Sequence, residues 1–231
     1  MSNPNHPGVH LPDHLRVDFH THTIFSPDSL TTPEKLIYVA RRKGLNRVVV
    51  TDHNTIEGAL CCKAFDPERI IVGEEIMTTD GEILAAYVTE EIPAGLSPIE
   101  TIQRLKEQGA FISISHPFDE YRKGHWKVNT LLNILPHVDA IETFNARCVL
   151  AKFNSRAQDF AEEHGIPGTC GSDAHAAFEL GRGSLLLPLF HDTDSLKTAL
   201  SESVIPRVIQ SSPFVHFTSR YAVWRKALIR K

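Results

Sequence analysis

His20 and His22 stand one residue apart in the stretch Asp18-Phe19-His20-Thr21-His22-Thr23, directly after an apolar-rich run. Alternation along a strand puts residues i and i+2 on one face, so both imidazoles can reach one ion from a strand end. Imidazole suits a divalent transition metal, and an acidic neighbour can hold its second ring nitrogen. A single His-x-His pair is a weak signal. It gains weight because His, Asp and Glu recur downstream beside expected strand ends and turns, at Asp28, His53, Glu75, His116, Glu142, Asp173 and His175. The set contains imidazoles and carboxylates and no thiolate, which suits Mn, Fe or Zn, while its oxygen share admits Mg. The candidates outnumber the roughly four to six ligands that one ion takes, so the pattern points to two or three divalent ions with a bridging carboxylate. Burying so many acids together without metal would be costly.

The elements that must position these residues follow from local pattern. Strands are expected over 15–19, 47–51, 70–72, 81–88, 110–115, 138–141 and 166–170. They deliver His20 and His22, then His53, Glu75, His116, Glu142, and finally Asp173 with His175. Asp80-Gly81 marks a hairpin between the third and fourth. Thr32 before Pro33 reads as an N-cap with proline at N1, and Ser97-Pro98-Ile99-Glu100 as a capping box. Further helices are expected from Ile56 and over 149–164. Alternation should turn Glu74 away from the side that Glu75 occupies. Strands alternating with helices indicate an α/β fold, and ligands gathered at the C-terminal ends of strands indicate a single, distorted (β/α) barrel. Residues 1–14 read as an N-terminal arm, 15–213 as the barrel domain, and 214–231 as a basic amphipathic tail docked on it, with Tyr221, Trp224 and Leu228 on one helical face.

Composition narrows the function classes. A chain of 231 residues can bury a real core, and a net charge of -4 argues against a long nucleic-acid partner. Thirteen histidines are a compositional hint of metal. No apolar run approaches the roughly 20 residues of a membrane span, and the N-terminus lacks a secretory apolar core. The four cysteines form no CxxC pair, which fits reduced thiols in a cytoplasmic protein.

The motifs Asp-Phe-His-Thr-His-Thr with Ser-Pro-Asp-Ser, then Thr-Asp-His-Asn-Thr, Gly-Glu-Glu-Ile, Ser-His-Pro-Phe, Ile-Glu-Thr-Phe-Asn-Ala-Arg, and Gly-Ser-Asp-Ala-His with Glu-Leu-Gly-Arg occur in order over residues 18 to 182. In this order the chain resembles the polymerase and histidinol phosphatase (PHP) family of metal-dependent phosphoesterases. The resemblance implies a distorted seven-stranded (β/α) barrel with a trinuclear metal cleft. It implies a first ion on His20, His22, Glu75 and Asp173. A second would be held by bridging Glu75 with His116 and Glu142, and a third by Asp28, His53 and His175. Asp28 stands where several family phosphatases have histidine. Glu82 stands where some members have histidine, and it is left out of the site. Arg147, Asn145 and Arg182 match positions that contact substrate phosphate.

The chemistry implied is phosphoester hydrolysis by a metal-bridging hydroxide, because two metals can clamp a phosphoryl group and acidify water. The chain carries neither a Gly-x-Ser-x-Gly nucleophile motif nor a P-loop. Asp173 or His175 could relay a proton. The expected partner is a small phosphorylated substrate, a nucleotide or a short oligonucleotide, with no membrane and with the oligomeric state open. Two other classes stand beside this reading: a PHP module that binds metal or regulates without hydrolysing, and amidohydrolase-like hydrolysis at carbon. Residues 118–128, with Arg122, Lys123, His125 and Lys127, could wall the substrate or form an ordinary solvated loop. Asp18 and Asp52 are expected to support histidines.

Overall fold

The computed structural model describes residues 14–205 and 208–229. The arm expected over 1–14 therefore lies outside the described residues except for His14, which opens the first strand. Among the described residues the strands are β1 (His14–Thr21), β2 (Arg47–Val50), β3 (Ile70–Met77), β4 (Glu82–Ala86), β5 (Phe111–Ile114), β6 (Ala140–Asn145), β7 (Gly168–Gly171) and β8 (Leu185–Pro188). The helices are α1 (Pro33–Arg42), α2 (Glu57–Phe65), α3 (Pro98–Glu107), α4 (Val128–Ile134), α5 (Ala151–His164), α6 (Thr193–Leu200) and α7 (Val215–Ile229). No helix among them is long and apolar enough to cross a membrane.

All strands join one sheet in the order β7-β6-β5-β4-β3-β2-β1-β8. Neighbours β1, β2 and β3 are parallel, as are β5, β6 and β7, while β4 runs antiparallel to both its neighbours. The sheet curls until its ends meet. His22 N–H donates to Ala174 O at 3.0 Å and Asp173 N–H to His20 O at 2.7 Å, which closes the rim between β1 and the segment after β7. The result is a nearly closed eight-stranded α/β barrel. The seven expected strands are present, and β8 is an addition, pairing antiparallel with β1.

Period-two burial sorts each strand between two cores. Ile70, Val72 and Ile76 face the helical layer, as do Val48 and Val50. Ile71 and Val49 face the barrel interior, with Phe111 and Cys170. Phe190, Leu196, Ala199 and Leu200 join that inner cluster and floor the barrel. Large apolar side chains thus fill the lower half, and polar side chains are left the upper rim. The expected caps hold: Thr32 accepts from Lys35 N–H, and the Ser97–Glu100 box is formed at the head of α3.

The tail helix α7 docks with the face that carries Val215 and Ala222, its two buried residues. Trp224 and Leu228 point outward, and Tyr221, which borders a surface cavity, is like them more than half exposed. Lys226 reaches back to the carbonyls of Ile24 and Ser26.

Candidate metal centre

Four side-chain atoms converge at the C-terminal rim of the barrel: His20 Nε2, His22 Nε2, Glu75 Oε2 and Asp173 Oδ1. The two ring nitrogens face each other at 3.0 Å. Glu75 Oε2 lies 3.2 Å from His20 Nε2 and 3.3 Å from His22 Nε2. Asp173 Oδ1 lies 3.6 and 3.2 Å from the same atoms. A register shift between Asp18 and Thr21 re-aims the end of β1 toward this point.

The outer nitrogens of both rings are already committed. His20 Nδ1 meets Glu142 Oε1 at 3.0 Å, and a carboxylate can only accept, so Nδ1 carries a proton and Nε2 is the atom turned inward. His22 Nδ1 meets Ser26 Oγ at 3.0 Å, and that hydroxyl spends its own proton on Asp52 Oδ1 at 2.6 Å. His22 therefore turns a lone pair inward. Burial opposes charge on His20, yet Glu75, Asp173 and Glu142 raise its pKa well above the ordinary value, so in the absence of metal a proton on His20 partly offsets the repulsion between the His22 lone pair and the two carboxylates, and a divalent cation would replace it. Glu75 Oε2 and Asp173 Oδ1 are moreover buried without a hydrogen bond, a costly state that a divalent cation removes. The donor set thus fits the expected metal.

The remaining predicted ligands divide. Asp28, His53 and His175 come together as implied: His175 Nε2 is 2.9 Å from Asp28 Oδ2, and His53 Nε2 is 3.6 Å from Asp28 Oδ1. The nitrogens of His22, His53 and His175 are also close enough to share an ion. His116 Nε2 lies 3.2 Å from Glu75 Oε1, as expected for a second ion beside a bridging Glu75. Glu142 is placed differently. One of its oxygens holds His20 Nδ1, and the other accepts from His116 N–H at 2.8 Å and Asn145 Nδ2 at 3.1 Å. Both oxygens orient neighbours, and Oε1, with one hydrogen bond, keeps a lone pair beside His20. Asn145 is engaged likewise, bridging Glu142 to Asp173 Oδ2.

Glu82, left out of the site on the resemblance, lies beside its histidines. Its carboxylate is 3.4 Å from His116 Nε2 and 3.9 Å from His53 Nδ1, and it forms a possible ligand group with His53 and Glu75. The antiparallel course of β4 brings it there, since a strand running downward presents its first residue at the upper rim. Glu82 pairs there with Met77 across the hairpin.

Burial and mutual charge set the protonation states. Burial disfavours charge on His53, yet Glu75 and Asp28 raise it to about 10. Burial, with His175 and His53 nearby, holds His22 well below its ordinary value. Burial and the Glu75 charge push Glu82 up. Burial works against ionised Asp173, but Arg122 and His20 hold it well below the carboxylate range.

Behind the ligands, Asp52 binds Thr23 N–H and Oγ1 and reaches His22 through Ser26. Asp18 supports no ring. It accepts from Ser172 N–H and Oγ and from Gly181 N–H, tying β1 to the loop after β7, and burial carries its pKa to about 6. Glu74 does face the other way, where Ile92 N–H donates to it at 3.0 Å.

A cleft of about 580 Å³ opens above Asp28, His53, Glu82 and His175. Arg122 and Lys123 from the 118–127 loop line it, as do Arg147 and, from α7, His216 and Arg220. The loop is a wall of the site, pinned by Trp126, whose Nε1 donates to Glu82 O at 3.1 Å. Arg147 reaches the cleft with its guanidinium already engaged: Glu179 is 3.1 Å away, and Val215 O and Ser219 Oγ accept at 2.8 and 3.0 Å. Arg182 is not among the lining residues. Its guanidinium lies over the Phe178 ring, 5.8 Å from the centroid. Arg122, whose place in a loop carried no pattern beyond its charge, is the cation that meets the ligands themselves.

Comparison with known proteins agrees with this geometry. The sequence matches the PHP domain model over residues 18–129 and the PHP-associated model over residues 151–203. It is 38% identical over 145 residues to an uncharacterized protein of Methanocaldococcus jannaschii, spanning 57% of this chain and 82% of that one. The fold is similar to a two-domain protein from Bacteroides vulgatus containing a predicted PHP-like metal-dependent phosphoesterase, with a TM-score of 0.67 and 20% identity over 84% of this chain and 65% of that chain. It is similar also to a lesion-specific endonuclease from Pyrococcus furiosus, with a TM-score of 0.54 and 16% identity over 84% and 57%.

Proposed function

This chain belongs to the PHP domain family, and from that premise we propose that it is a metal-dependent phosphoesterase hydrolysing a phosphomonoester or phosphodiester of a small metabolite, nucleotide or short oligonucleotide. The observation that carries the reading is the pair of buried oxygens without a hydrogen bond, Glu75 Oε2 and Asp173 Oδ1, faced by the inner ring nitrogens of His20 and His22 beneath a cation-lined cleft. His20, His22, Glu75 and Asp173 would hold one divalent ion, with Asp28, His53, His116, His175 and Glu82 serving one or two more.

Bound there, such ions supply Lewis acidity toward phosphoryl oxygens and acidified water at neutral pH. The chain's own groups do the rest. Glu142 and Ser26 fix the tautomers of His20 and His22, so their Nε2 atoms stay available as ligands. Arg122, Lys123 and Arg220 give the cleft positive charge for a phosphate, which two acidic walls alone would repel. Asp173 Oδ2 and His175 Nδ1 are both hydrogen-bonded, the first to Arg122 and Asn145 and the second to Asp173 O. A guanidinium, an amide and a backbone carbonyl pass no proton on, so these bonds orient the two side chains and carry no relay.

The test is turnover of a panel of phosphomonoesters and phosphodiesters by Mn-loaded protein, with metal content counted in parallel. Loss on chelation, return with Mn, and loss in Glu75→Ala are expected. Bound metal without turnover of any ester would replace hydrolysis with a binding or regulatory role. Turnover confined to carbon centres would replace it with amidohydrolase-like chemistry.

A further inference from the structure

A second cavity, of about 450 Å³, lies beside the metal cleft and shares two lining residues with it, His175 and Phe217. Its other walls are Leu30 and Thr31 from the loop before α1, Ala176 and Ala177 from the loop after β7, and Thr218 and Tyr221 from α7. Lys35 completes the lining at the rim. Phe217 borders both spaces; its ring is 62% exposed and stacks on Phe214, with centroids 6.1 Å apart.

The two cavities have opposite chemistry. The metal cleft collects arginines, a lysine and the carboxylates of the ligand set. The side chamber's polar groups are largely occupied elsewhere. Thr31 Oγ1 donates to His175 O at 3.3 Å, and Thr218 Oγ1 to Val215 O at 2.6 Å. The Lys35 ammonium lies over the Tyr38 ring, 5.5 Å from its centroid. What remains to face an occupant is the Leu30 side chain, two alanine methyls and the faces of Phe217 and Tyr221. That surface would gain by covering an apolar or aromatic group and offers little to a second anion.

We propose that this chamber, bordered by Phe217, is the leaving-group subsite, and that the substrate is a phosphoester whose alcohol carries an apolar or aromatic group. The inference rests on the phosphoesterase reading for the place of the phosphoryl group, beside His175 and Asp28. The chamber shares His175 and Phe217 with the cleft, so a group esterified to that phosphate lies next to it. Phe217, Thr218 and Tyr221 come from α7, which lies beyond the residues matched by either family model. The selectivity would therefore be a property of this chain's own tail, not of the barrel.

The experiment compares 2-phenylethyl phosphonate with ethyl phosphonate, which share the anionic head and differ in apolar bulk, by calorimetric titration of the full Mn-loaded chain. The phenylethyl compound is expected to bind at least tenfold tighter. Filling the chamber with Ala177→Trp, or removing the bordering ring with Phe217→Ala at its exposed site, is expected to cut that preference to threefold or less. Equal affinities in the wild-type protein would overturn the inference, as would a preference untouched by both substitutions. Turnover of the matching phosphates reports separately on hydrolysis: selective phosphonate binding with no turnover would overturn the phosphoesterase reading and the leaving-group role with it, and leave the chamber an apolar binding subsite.

Discussion

Arg122 Nη2 lies 2.5 Å from Asp173 Oδ2, while the other oxygen of the same carboxylate faces His22 Nε2 at 3.2 Å. One carboxylate thus couples the loop wall to the metal ligands. Asp173 itself sits in the left-handed region at φ 52°, with its N–H on His20 O, so its two oxygens are presented by a constrained backbone. Arg122 is further held by Asp119 Oδ2 at 3.3 Å.

This arrangement makes Arg122 the cation best placed to meet a phosphate bound over the metals. Arg122→Ala is expected to lower kcat/KM for the preferred phosphoester by about a hundredfold, or about 2.7 kcal/mol of transition-state stabilisation. Arg122→Lys should recover part of it, since charge returns without the fork. Steady-state kinetics with metal counting checks this: unchanged turnover at full metal content would remove Arg122 from the chemistry.

Glu82 should count as a ligand in a metal titration. Glu82→Gln keeps the size and removes the charge facing His116 and His53. Affinity for one of the bound ions is expected to fall by at least about tenfold, with the ion held by His20, His22 and Asp173 retained. Elemental analysis after dialysis at graded free Mn would show one fewer ion per chain. An unchanged stoichiometry and affinity would return Glu82 to a purely structural role.

The ligand series was legible because most of its members directly follow an apolar strand, so position along a barrel strand could be read from local pattern alone. The Ser97–Glu100 box and Pro33 at the head of α1 are local signals of the same kind. What escaped depends on pairings distant in sequence. Glu142 meets His20 across 122 residues, and only the side-chain direction at β6 shows which neighbours its oxygens hold. Glu82 needs the direction of β4. Arg147 stands at a strand end, as a phosphate contact should, but Glu179 and α7 occupy it. The tail was readable as a helix, whereas its docking through Val215 and Ala222 was not, since two small side chains make a weaker pattern than the aromatic stripe on the opposite face. Helix α4 has no capping side chain to announce it.

Metal should stabilise the fold as well as drive chemistry, because the folded centre holds orphaned charge that the unfolded chain leaves to water. A ligand present at a thousand times its Kd adds about 4 kcal/mol for a single site. For a chain of this size that corresponds to a rise in Tm of about 8–16 °C. Calorimetric melting in excess Mn against excess chelator should show it, and Glu75→Ala should abolish most of the difference.

Thiol chemistry offers a check on the packing that is independent of the site. Cys61 is exposed, while Cys62, Cys148 and Cys170 are buried, and burial pushes all three of those thiols above their ordinary range. Native protein should release one equivalent of chromophore rapidly from an aromatic disulfide reagent, and four in denaturant. Rapid release of more than one would mean that the layer around α2 or the inner cluster at Cys170 is looser than described.

Asp66 gives stability a pH dependence that can be assigned. It ends α2 and accepts from Arg41 Nε at 2.9 Å, Arg69 Nε at 3.1 Å and Arg69 N–H at 3.3 Å, so it ties α1 to the start of β3. Burial raises its pKa, but the two arginines outweigh that and leave it lowered. A carboxyl depressed in the folded state contributes stability that is fully present above its unfolded pKa of about 3.9 and is lost as the pH falls through the folded value. Arg41 is largely solvent-exposed, which screens the pair and limits the contribution to about 1 kcal/mol. Asp66→Asn should therefore be less stable than the wild type by about that amount in urea at pH 7, and the gap should narrow steadily as the pH is taken below 4. A gap that stayed constant with pH would mean that the asparagine loses packing or hydrogen-bond geometry, not charge.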